Sequence, residues 1–286
     1  MKKKIYTGYL VIFFLILMLS ILTMPVLSGE GKVKWIDSYD RALKEAADED
    51  QLMLIQIITD TCPYCTKMER EIFHTDEMAK ICEQVKCVIV NGSKDNKAVE
   101  LARKFNVKGV PTTLLLTEEE EFVSIVRGYL PLQKFVYAVN SVIKKANKFD
   151  RSLKILKKNS DNLKAMYNVA EGYYERKQYD RALELADRII ESDPENKQDQ
   201  TVKAYILKAG IHVFKEKDTK RALELLNHAI DKWSESPDIK VALYTKGIIL
   251  YYREDKDKGR EVLQTLKNKY PADRQLIARI DSVLKD

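Results

Sequence analysis

The sequence has 286 residues, of which 45% are hydrophobic and 32% charged, a composition that excludes an intrinsically disordered chain and suggests about two domains. The formal net charge is +6, and the lysines at positions 2, 3 and 4 account for half of it. The rest of the chain carries both signs in nearly equal number, so we do not expect it to bind nucleic acid.

Residues 1–29 have the layout of a secretory signal. The basic residues at positions 2–4 precede an apolar run over residues 9–22, which Pro25 interrupts before the small residues Ser28 and Gly29. This order predicts an exported protein with a cleaved signal peptide. An uncleaved N-terminal membrane anchor is the alternative, since residues 9–27 are nearly long enough to span a bilayer. Either way, the rest of the chain is expected outside the cytoplasm, periplasmic or secreted, because the lysines stay inside.

The segments that follow predict a helix and then a buried strand. Residues 35–50 carry alanine and leucine along one helical face. Residues 52–58 form a short apolar run rich in isoleucine, which is typical of a strand covered on both faces. Residues 59–61 suit a turn, and residues 67–73 continue as a helix.

Two cysteines, Cys62 and Cys65, stand at this strand-to-helix junction with Pro63 and Tyr64 between them. Pro63 fits the first helical turn, where a missing N–H is tolerated. A helix N-terminus also supplies a positive field that stabilises a thiolate. Thiols at this spacing can close and reopen a disulfide ring, although a structural disulfide and part of a zinc site are alternatives. Thiols outside the cytoplasm are usually oxidised, which favours disulfide chemistry.

A second pair, Cys82 and Cys87, lies at a predicted helix end and strand start. A zinc site at the first pair would need these two as further ligands, and no histidine lies in a ligand-like pattern with them. We therefore assign no metal and no cofactor. The second pair is close enough in sequence for a structural disulfide. Two free buried thiols are an alternative, because Cys87 lies in an apolar strand, and a second redox role is the third.

The remaining elements of the first half follow in alternation. Thr75 is expected to cap a second helix, since its side-chain oxygen can accept from the free N–H groups of the next turn. A strand, a helix and a hairpin come next, and a last helix runs from Pro131 through Ile143. The predicted ranges are 85–90 for the strand, 97–105 for the helix, and 113–116 and 122–127 for the arms of the hairpin. Before the hairpin lie Gly109, Val110, Pro111 and Thr112.

This order of elements resembles the thioredoxin fold, and exported bacterial thiol–disulfide oxidoreductases in particular. Two motifs carry the resemblance together: the CxxC at a strand–helix junction, and the Gly-Val-Pro-Thr segment about 45 residues later. The resemblance covers residues 34–148, and we assign residues 30–148 to a thioredoxin-like domain.

The resemblance implies roles for individual residues. The Val110–Pro111 bond is expected to be cis, and both residues are expected to shape the groove that binds an extended substrate segment. Cys62 is expected to be the exposed nucleophile, and Cys65 the buried thiol that resolves the mixed disulfide. Expected to support the active site are Pro63, Tyr64 and Thr112.

The sequence departs from thioredoxins at two positions. Thr61 stands where a tryptophan usually precedes the first cysteine, and Gln56 replaces a buried acid thought to take up protons from the buried cysteine. Glutamine cannot do this, which puts fast thioredoxin-like reduction in question; Glu69 or a bound water is the candidate substitute. Lys67 is a candidate for holding the thiolate, with a solvated helix lysine as the alternative.

From residue 149 the composition becomes helical, with an internal repeat marked by pairs of small residues. The pairs are Ala170 and Ala182, Gly210 and Ala222, and Gly247 and Gly259. The pattern resembles tetratricopeptide repeats, whose period is about 34 residues. We assign residues 149–286 to a tetratricopeptide-repeat-like helical domain, with a bridging helix or linker at 152–158 and a capping helix at 276–284.

These repeats predict either a concave surface that docks a partner protein or a packing module that stabilises the first domain. Five tyrosines are candidates for lining such a surface, although core packing is the commoner role at this spacing. They are Tyr167, Tyr174, Tyr205, Tyr244 and Tyr251.

The sequence therefore predicts an α/β thioredoxin fold followed by an all-α tetratricopeptide-repeat domain. The predicted activity is extracytoplasmic thiol–disulfide exchange, with reductase, oxidase and isomerase all open. The expected partners are protein thiol or disulfide substrates, a redox partner that resets the disulfide, and a docking protein on the repeats. A non-enzymatic adaptor or chaperone is the alternative, and the presence of both CxxC cysteines favours the enzyme.

Overall fold

The computed structural model describes residues 33–285. The predicted signal or anchor at residues 1–29 lies outside the described residues. Within the described range, no helix combines the length and the apolar character needed to cross a bilayer.

The first half of the described chain is a four-stranded mixed sheet with helices packed on it. The strands are β1 (Met53–Ile58), β2 (Lys86–Asn91), β3 (Thr112–Leu116) and β4 (Phe122–Arg127). Helix α1 (Tyr39–Glu49) precedes β1, and the helices between the strands are α2 (Pro63–Glu71), α3 (Asp76–Cys82) and α4 (Asn96–Lys104). The predicted Thr75 cap of α3 is confirmed, because its side chain accepts a hydrogen bond from the Met78 N–H at 3.3 Å.

The sheet order is β2-β1-β3-β4, with β1 parallel to β2 and the other neighbouring pairs antiparallel. β1 and β3 are the central strands and are buried on both faces, which explains their continuous apolar sequences. Successive side chains of β1 enter different cores: Leu54 packs in one cluster and Ile55 in the other. The alternation of strand side chains thus divides the domain core into two layers.

The predicted helix at residues 35–50 begins later, at Tyr39, with Ser38 as its cap. The prediction was wrong for residues 35–38, because this segment extends along β2. The Ile36 N–H donates to the Cys87 carbonyl at 2.8 Å, and the Trp35 indole donates to the Phe73 carbonyl at 3.2 Å.

A single helix, α5 (Leu132–Lys158), joins the two halves of the molecule. The sequence predicts a helix ending at Ile143 and a separate bridge at 152–158; both belong to α5. The helix continues because its buried face continues, with Ala146 packing on the thioredoxin-like core and Phe149 on the core of the repeats.

In the described part of the chain, three helical pairs and one final helix follow α5, and each helix packs against the next. They are α6 (Leu163–Glu175), α7 (Tyr179–Ser192), α8 (Thr201–Ile211), α9 (Thr219–Lys232), α10 (Ile239–Ile249), α11 (Lys256–Lys269) and α12 (Arg274–Leu284). Five-residue π-helical segments, His212–Glu216 and Leu250–Glu254, extend α8 and α10. The first helices of successive pairs also contact each other, α6 with α8 and α8 with α10, which builds a stack.

Most of the repeat tyrosines take the core role. Tyr251 is buried, and the other four pack partly buried against the helical cores. Glycine allows close contact at Gly259, where an added Cβ would lie 2.3 Å from the backbone nitrogen of Tyr251. The predicted role of small residues in helix packing is therefore seen at α11.

The junction between the halves is also held by side chains. The Arg176 guanidinium lies 3.7 Å from the centroid of the Phe149 ring, a short cation–π contact. Burial lowers the pKa of Arg176, and the charge of Asp150 opposes that shift. The Gln178 amide donates to Glu121, in the hairpin between β3 and β4, at 3.4 Å. The repeats therefore contact the sheet domain through more than the shared helix.

Candidate active site

The CxxC pair lies at the junction between β1 and α2. The Cys62 N–H donates to the Thr59 carbonyl at 3.3 Å, which closes a tight turn after the strand. Cys62 has extended backbone angles and is the N-cap residue of α2, and Pro63 occupies the first turn. The local sequence explains this start, since proline is preorganised for the first helical position and needs no partner for an N–H there.

Cys62 and Cys65 form a disulfide, with their Cα atoms 5.2 Å apart. The Cys65 N–H donates to Cys62 Sγ at 3.1 Å. Backbone N–H groups of Cys65 and Thr66 also donate to the Cys62 carbonyl, at 3.1 and 3.2 Å. On reduction, a thiolate at Cys62 would face the amide donors and the positive end of the helix, an arrangement that stabilises negative charge on sulfur.

Cys62 is less exposed than the sequence predicts. It is 9% exposed and Cys65 is 4% exposed, so the predicted order of accessibility holds but the difference is small. The physical reason is that Cys62 occupies the cap position, folded against the first turn and joined to Cys65.

The Val110–Pro111 segment is brought to the CxxC turn by strand register. Ile57, near the end of β1, pairs with Thr112, the first residue of β3, so the residues before Thr112 lie beside the turn that follows β1. The Val110–Pro111 bond is cis. The Thr112 hydroxyl donates to the Gly109 carbonyl at 2.7 Å, which fixes the loop from within.

Gln56 is a fully buried residue of β1 and pairs with Thr113 of β3. Its Oε1 accepts from the Thr113 hydroxyl at 2.6 Å, and its Nε2 donates to the Thr112 carbonyl at 3.4 Å. Both ends of the amide are therefore engaged, as a buried polar group requires. Glu69, the proposed substitute proton acceptor, is exposed on α2. Gln56 thus acts as a neutral tie between the strands that carry the two active-site segments.

Asp60 anchors the turn before Cys62, a role that the sequence did not predict. Its carboxylate accepts from the Asn91 amide at 2.7 Å and pairs with Lys94 at 3.1 Å, and its N–H donates to the Ser93 hydroxyl at 3.0 Å. The Asn91 hydrogen bond is the main cause of the lowered pKa of Asp60. These contacts tie the ends of the parallel strands β1 and β2 together beside the site.

Tyr129 is a second residue that the sequence analysis missed. Its ring stacks on Tyr64 with centroids 6.1 Å apart, and Lys67 Nζ lies 4.4 Å from its centroid. Its hydroxyl donates to Glu71 Oε2 at 2.6 Å. Lys67 therefore lies against an aromatic ring, which gives it a packing role besides the two considered from the sequence. A glycine before Tyr129 at the end of the hairpin could have indicated a sharp change of direction there. Gly128 has a φ of 74° and turns the chain toward α2.

The Tyr129–Glu71 hydrogen bond predicts a pH-dependent contribution to stability. The bond is the main cause of the lowered pKa of Glu71, ordinarily 4.5. Because the folded pKa is lowered, the stabilisation is present above pH 4.5 and is lost as the pH falls through the folded pKa. Tyr129→Phe should therefore lower the melting temperature at pH 7, and the difference from the wild type should shrink as the pH falls through the lowered folded pKa of Glu71. Melting curves between pH 3 and 8 test this, and a gap that stays constant down to pH 3 would contradict it.

Cys82 and Cys87 form the second disulfide, so the alternative of two free buried thiols is wrong, and a structural or a redox role is left for this pair. Cys87 pairs with Leu54 in the β1–β2 register, whereas Ile58 at the far end of β1 pairs with Asn91. Four residues of strand correspond to about 13 Å, so the second disulfide lies toward the opposite end of the sheet from Cys62. The four sulfurs therefore cannot share one zinc ion, and the two disulfides cannot exchange directly.

The second disulfide is expected to be structural. Replacing both cysteines, Cys82→Ala with Cys87→Ala, should lower the free energy of unfolding by about 2 kcal/mol, since a short loop is no longer closed in the unfolded chain. The melting temperature should fall by roughly 4–8 °C, while disulfide exchange at Cys62 should continue. Thermal unfolding and an exchange assay on the same sample test both parts, and loss of exchange in a folded double variant would contradict the assignment.

Comparison with known proteins supports the division of the chain. Residues 39–143 match the family of thioredoxin-like domains. Residues 164–209 match the Fis1 C-terminal tetratricopeptide repeat, and residues 241–273 match a tetratricopeptide repeat. No curated protein matches the sequence.

Three similar solved structures each cover less than half of this chain. The DsbH oxidoreductase is 21% identical, with 43% of this chain and 90% of that protein covered and a TM-score of 0.37. A thioredoxin from Thermus thermophilus is 23% identical, with 39% and 87% covered and a TM-score of 0.35. Spinach chloroplast thioredoxin f is 23% identical, with 39% and 94% covered and a TM-score of 0.31. The family matches and the fold agree: the chain carries a thioredoxin-like domain followed by tetratricopeptide-type repeats.

Proposed function

We propose that the protein is an extracytoplasmic thiol–disulfide oxidoreductase that uses Cys62 and Cys65 to exchange disulfides with client proteins. The observation that carries the proposal is the position of the pair at the start of α2, with the Cys65 N–H directed at Cys62 Sγ at 3.1 Å. This geometry supports Cys62 as the attacking thiolate and Cys65, one turn inside the helix, as the resolving thiol.

The exchange has two steps in the reducing direction. The Cys62 thiolate attacks one sulfur of a client disulfide, which forms a mixed disulfide and releases one client thiolate. The Cys65 thiolate then attacks Cys62 Sγ, which releases the second client thiolate and closes the Cys62–Cys65 disulfide. Two electrons pass to the client, and the client thiolates take protons from water. A separate dithiol partner must then reduce the pair; in the oxidising direction the same steps run backwards.

The Val110–Pro111 segment is the proposed binding surface for the client chain. It lies beside the CxxC turn through the Ile57–Thr112 register, and the Thr112 hydroxyl and the buried Gln56 hold it in place. Because Gln56 cannot carry a proton, protons released at Cys65 must leave by another route. We expect proton transfer to water.

The helical repeats are proposed to dock a client or the redox partner. The first helices of the repeats line an open groove of about 430 Å³ whose walls include Tyr167, Asn168 and Lys203. Two basic residues of this groove form ion pairs, Lys148 with Glu171 at 2.9 Å and Lys203 with Asp238 at 3.7 Å. The groove thus combines aromatic, amide and charged groups, which suits a polar protein segment.

Export is part of the proposal and rests on the sequence of residues 1–29. Outside the cytoplasm a structural disulfide such as Cys82–Cys87 is stable, which accords with this location. Alkaline phosphatase fused after residue 29 would be active only if the segment exports it, and an inactive fusion would contradict the location.

Trapping of clients tests the proposed activity. In a Cys65→Ser variant the mixed disulfide at Cys62 cannot be resolved, so disulfide-linked adducts should accumulate and disappear on reduction. The matched control is the Cys62→Ser/Cys65→Ser double variant, which should form none. Mass spectrometry should place every adduct on Cys62. Adducts at Cys82 or Cys87, or none at all, would contradict the proposal.

A further inference from the structure

An exposed aromatic surface adjoins the CxxC pair and has no part in the two exchange steps. Tyr64 is 60% exposed although it is a large aromatic residue. It stacks on Tyr129, which comes from the end of the hairpin. We call these two residues the tyrosine platform.

The platform is held in place from several sides. Tyr64, Lys67 and Glu71 recur at helical spacing on one face of α2. Lys67 packs over the Tyr129 ring, and Glu71 accepts a hydrogen bond from the Tyr129 hydroxyl. On the other side, the Gly128 N–H donates to the Pro111 carbonyl at 2.9 Å. The segment carrying Tyr129 is thus bonded both to α2 and to the cis-proline loop, which are the two walls of the proposed client site.

The charged side chains beside the platform already have partners within the protein. Lys67 lies on an aromatic ring, and Glu71 is bonded to Tyr129 and to Arg70, the latter at 2.9 Å. Because Arg70 and Glu71 offset each other, charge gives this surface only a weak basis for selecting a client. What the surface offers is aromatic area, which binds aromatic and large apolar side chains through burial and stacking.

We infer that the tyrosine platform selects clients that carry an aromatic or large apolar residue one or two positions from the reacting cysteine. The inference rests on the proposed function. Tyr64 follows Cys62 by two residues, so their Cα atoms are about 5–6 Å apart in the helix. A client chain extends by about 3.3 Å per residue, so a side chain one or two residues from its cysteine reaches the platform while its sulfur is bonded to Cys62.

Exchange kinetics with matched peptides test the inference. Two disulfide-linked peptides would differ only in the residue beside cysteine, phenylalanine in one and glycine in the other. The measured quantity is the ratio of their kcat/KM values within each protein, so that general changes in reactivity cancel. The wild type should prefer the phenylalanine peptide by about tenfold. The ratio should fall to about 1–2 in Tyr64→Ala and in Tyr129→Ala.

The control is Tyr137→Ala, which removes a tyrosine that is 78% exposed on α5 and should keep the wild-type ratio. Tyr64→Ala removes an exposed side chain and is expected to fold, so the test does not depend on Tyr129→Ala folding. Exchange with both peptides at equal rates by the wild type, or a preference that survives both platform variants, would overturn the inference alone. No exchange with either peptide would overturn the proposed function and this inference with it.

Discussion

Replacing Cys62 with serine should reduce disulfide exchange by on the order of a thousandfold or more. Serine fits the cap position, since its oxygen can accept the hydrogen bond from the Cys65 N–H, so α2 should still begin at residue 63. The chemistry fails because a hydroxyl is not ionised at neutral pH and cannot form a disulfide. The expected phenotype is therefore a folded, inactive protein. Turnover of a peptide disulfide, measured beside thermal unfolding, separates this from loss of structure.

The contrast with Cys65→Ser makes the prediction specific. That variant keeps the attacking thiol, so it should complete the first step and stop at the mixed disulfide. The Cys82→Ala/Cys87→Ala variant should retain turnover, because its disulfide lies toward the opposite end of the sheet. Exchange that persists in Cys62→Ser but is lost in the second-pair variant would mean that the functional assignments of the two disulfides are reversed.

Replacing Gly259 with alanine should lower the free energy of unfolding by about 3 kcal/mol, although alanine is the better helix former. An added Cβ would lie 2.3 Å from the backbone nitrogen of Tyr251 and 2.5 Å from its Cα. No side-chain rotation relieves a contact with backbone, so α11 must shift away from the π-helical segment at the end of α10. The gain of about 1 kcal/mol from helix propensity offsets only part of this cost.

The melting temperature of the Gly259→Ala protein should fall by roughly 6–12 °C. Gly109→Ala is the control, because a Cβ there would have nothing within 4 Å; its stability should stay within about 0.5 kcal/mol of the wild type. Far-UV circular dichroism follows this unfolding, since the repeats contain most of the helical residues. A Gly259→Ala protein as stable as the control would show that the last repeat packs differently from the structure described here.

The parts of the site that the sequence predicted are those fixed by local interactions. The apolar β1 run, the Pro63 start of α2 and the Thr75 cap of α3 each depend on a few neighbouring residues. The cis bond of Val110–Pro111 was expected from the family resemblance. Its proximity to Cys62 follows from the pairing of β1 with β3.

The parts that were missed depend on distant pairs. Tyr129 reaches α2 only because β4 ends beside it and Gly128 turns the chain. Asp60 meets Asn91 only through the parallel register of two strands. The continuity of α5 was missed because its buried face changes partner, from the sheet core near Ala146 to the repeat core at Phe149. In each case the contact joins residues that are far apart in the sequence, so no local pattern predicts it.

The most direct test of the central claim is a redox titration of the two disulfides in one sample. The protein would be equilibrated in glutathione buffers of stepped potential, alkylated and analysed by mass for each cysteine. We predict that Cys62 and Cys65 titrate together as a reversible two-electron couple between about −120 and −270 mV, while Cys82 and Cys87 remain oxidised over that range. Failure of the Cys62–Cys65 pair to exchange reversibly would contradict the oxidoreductase and leave a protein-binding adaptor as the function of the fold.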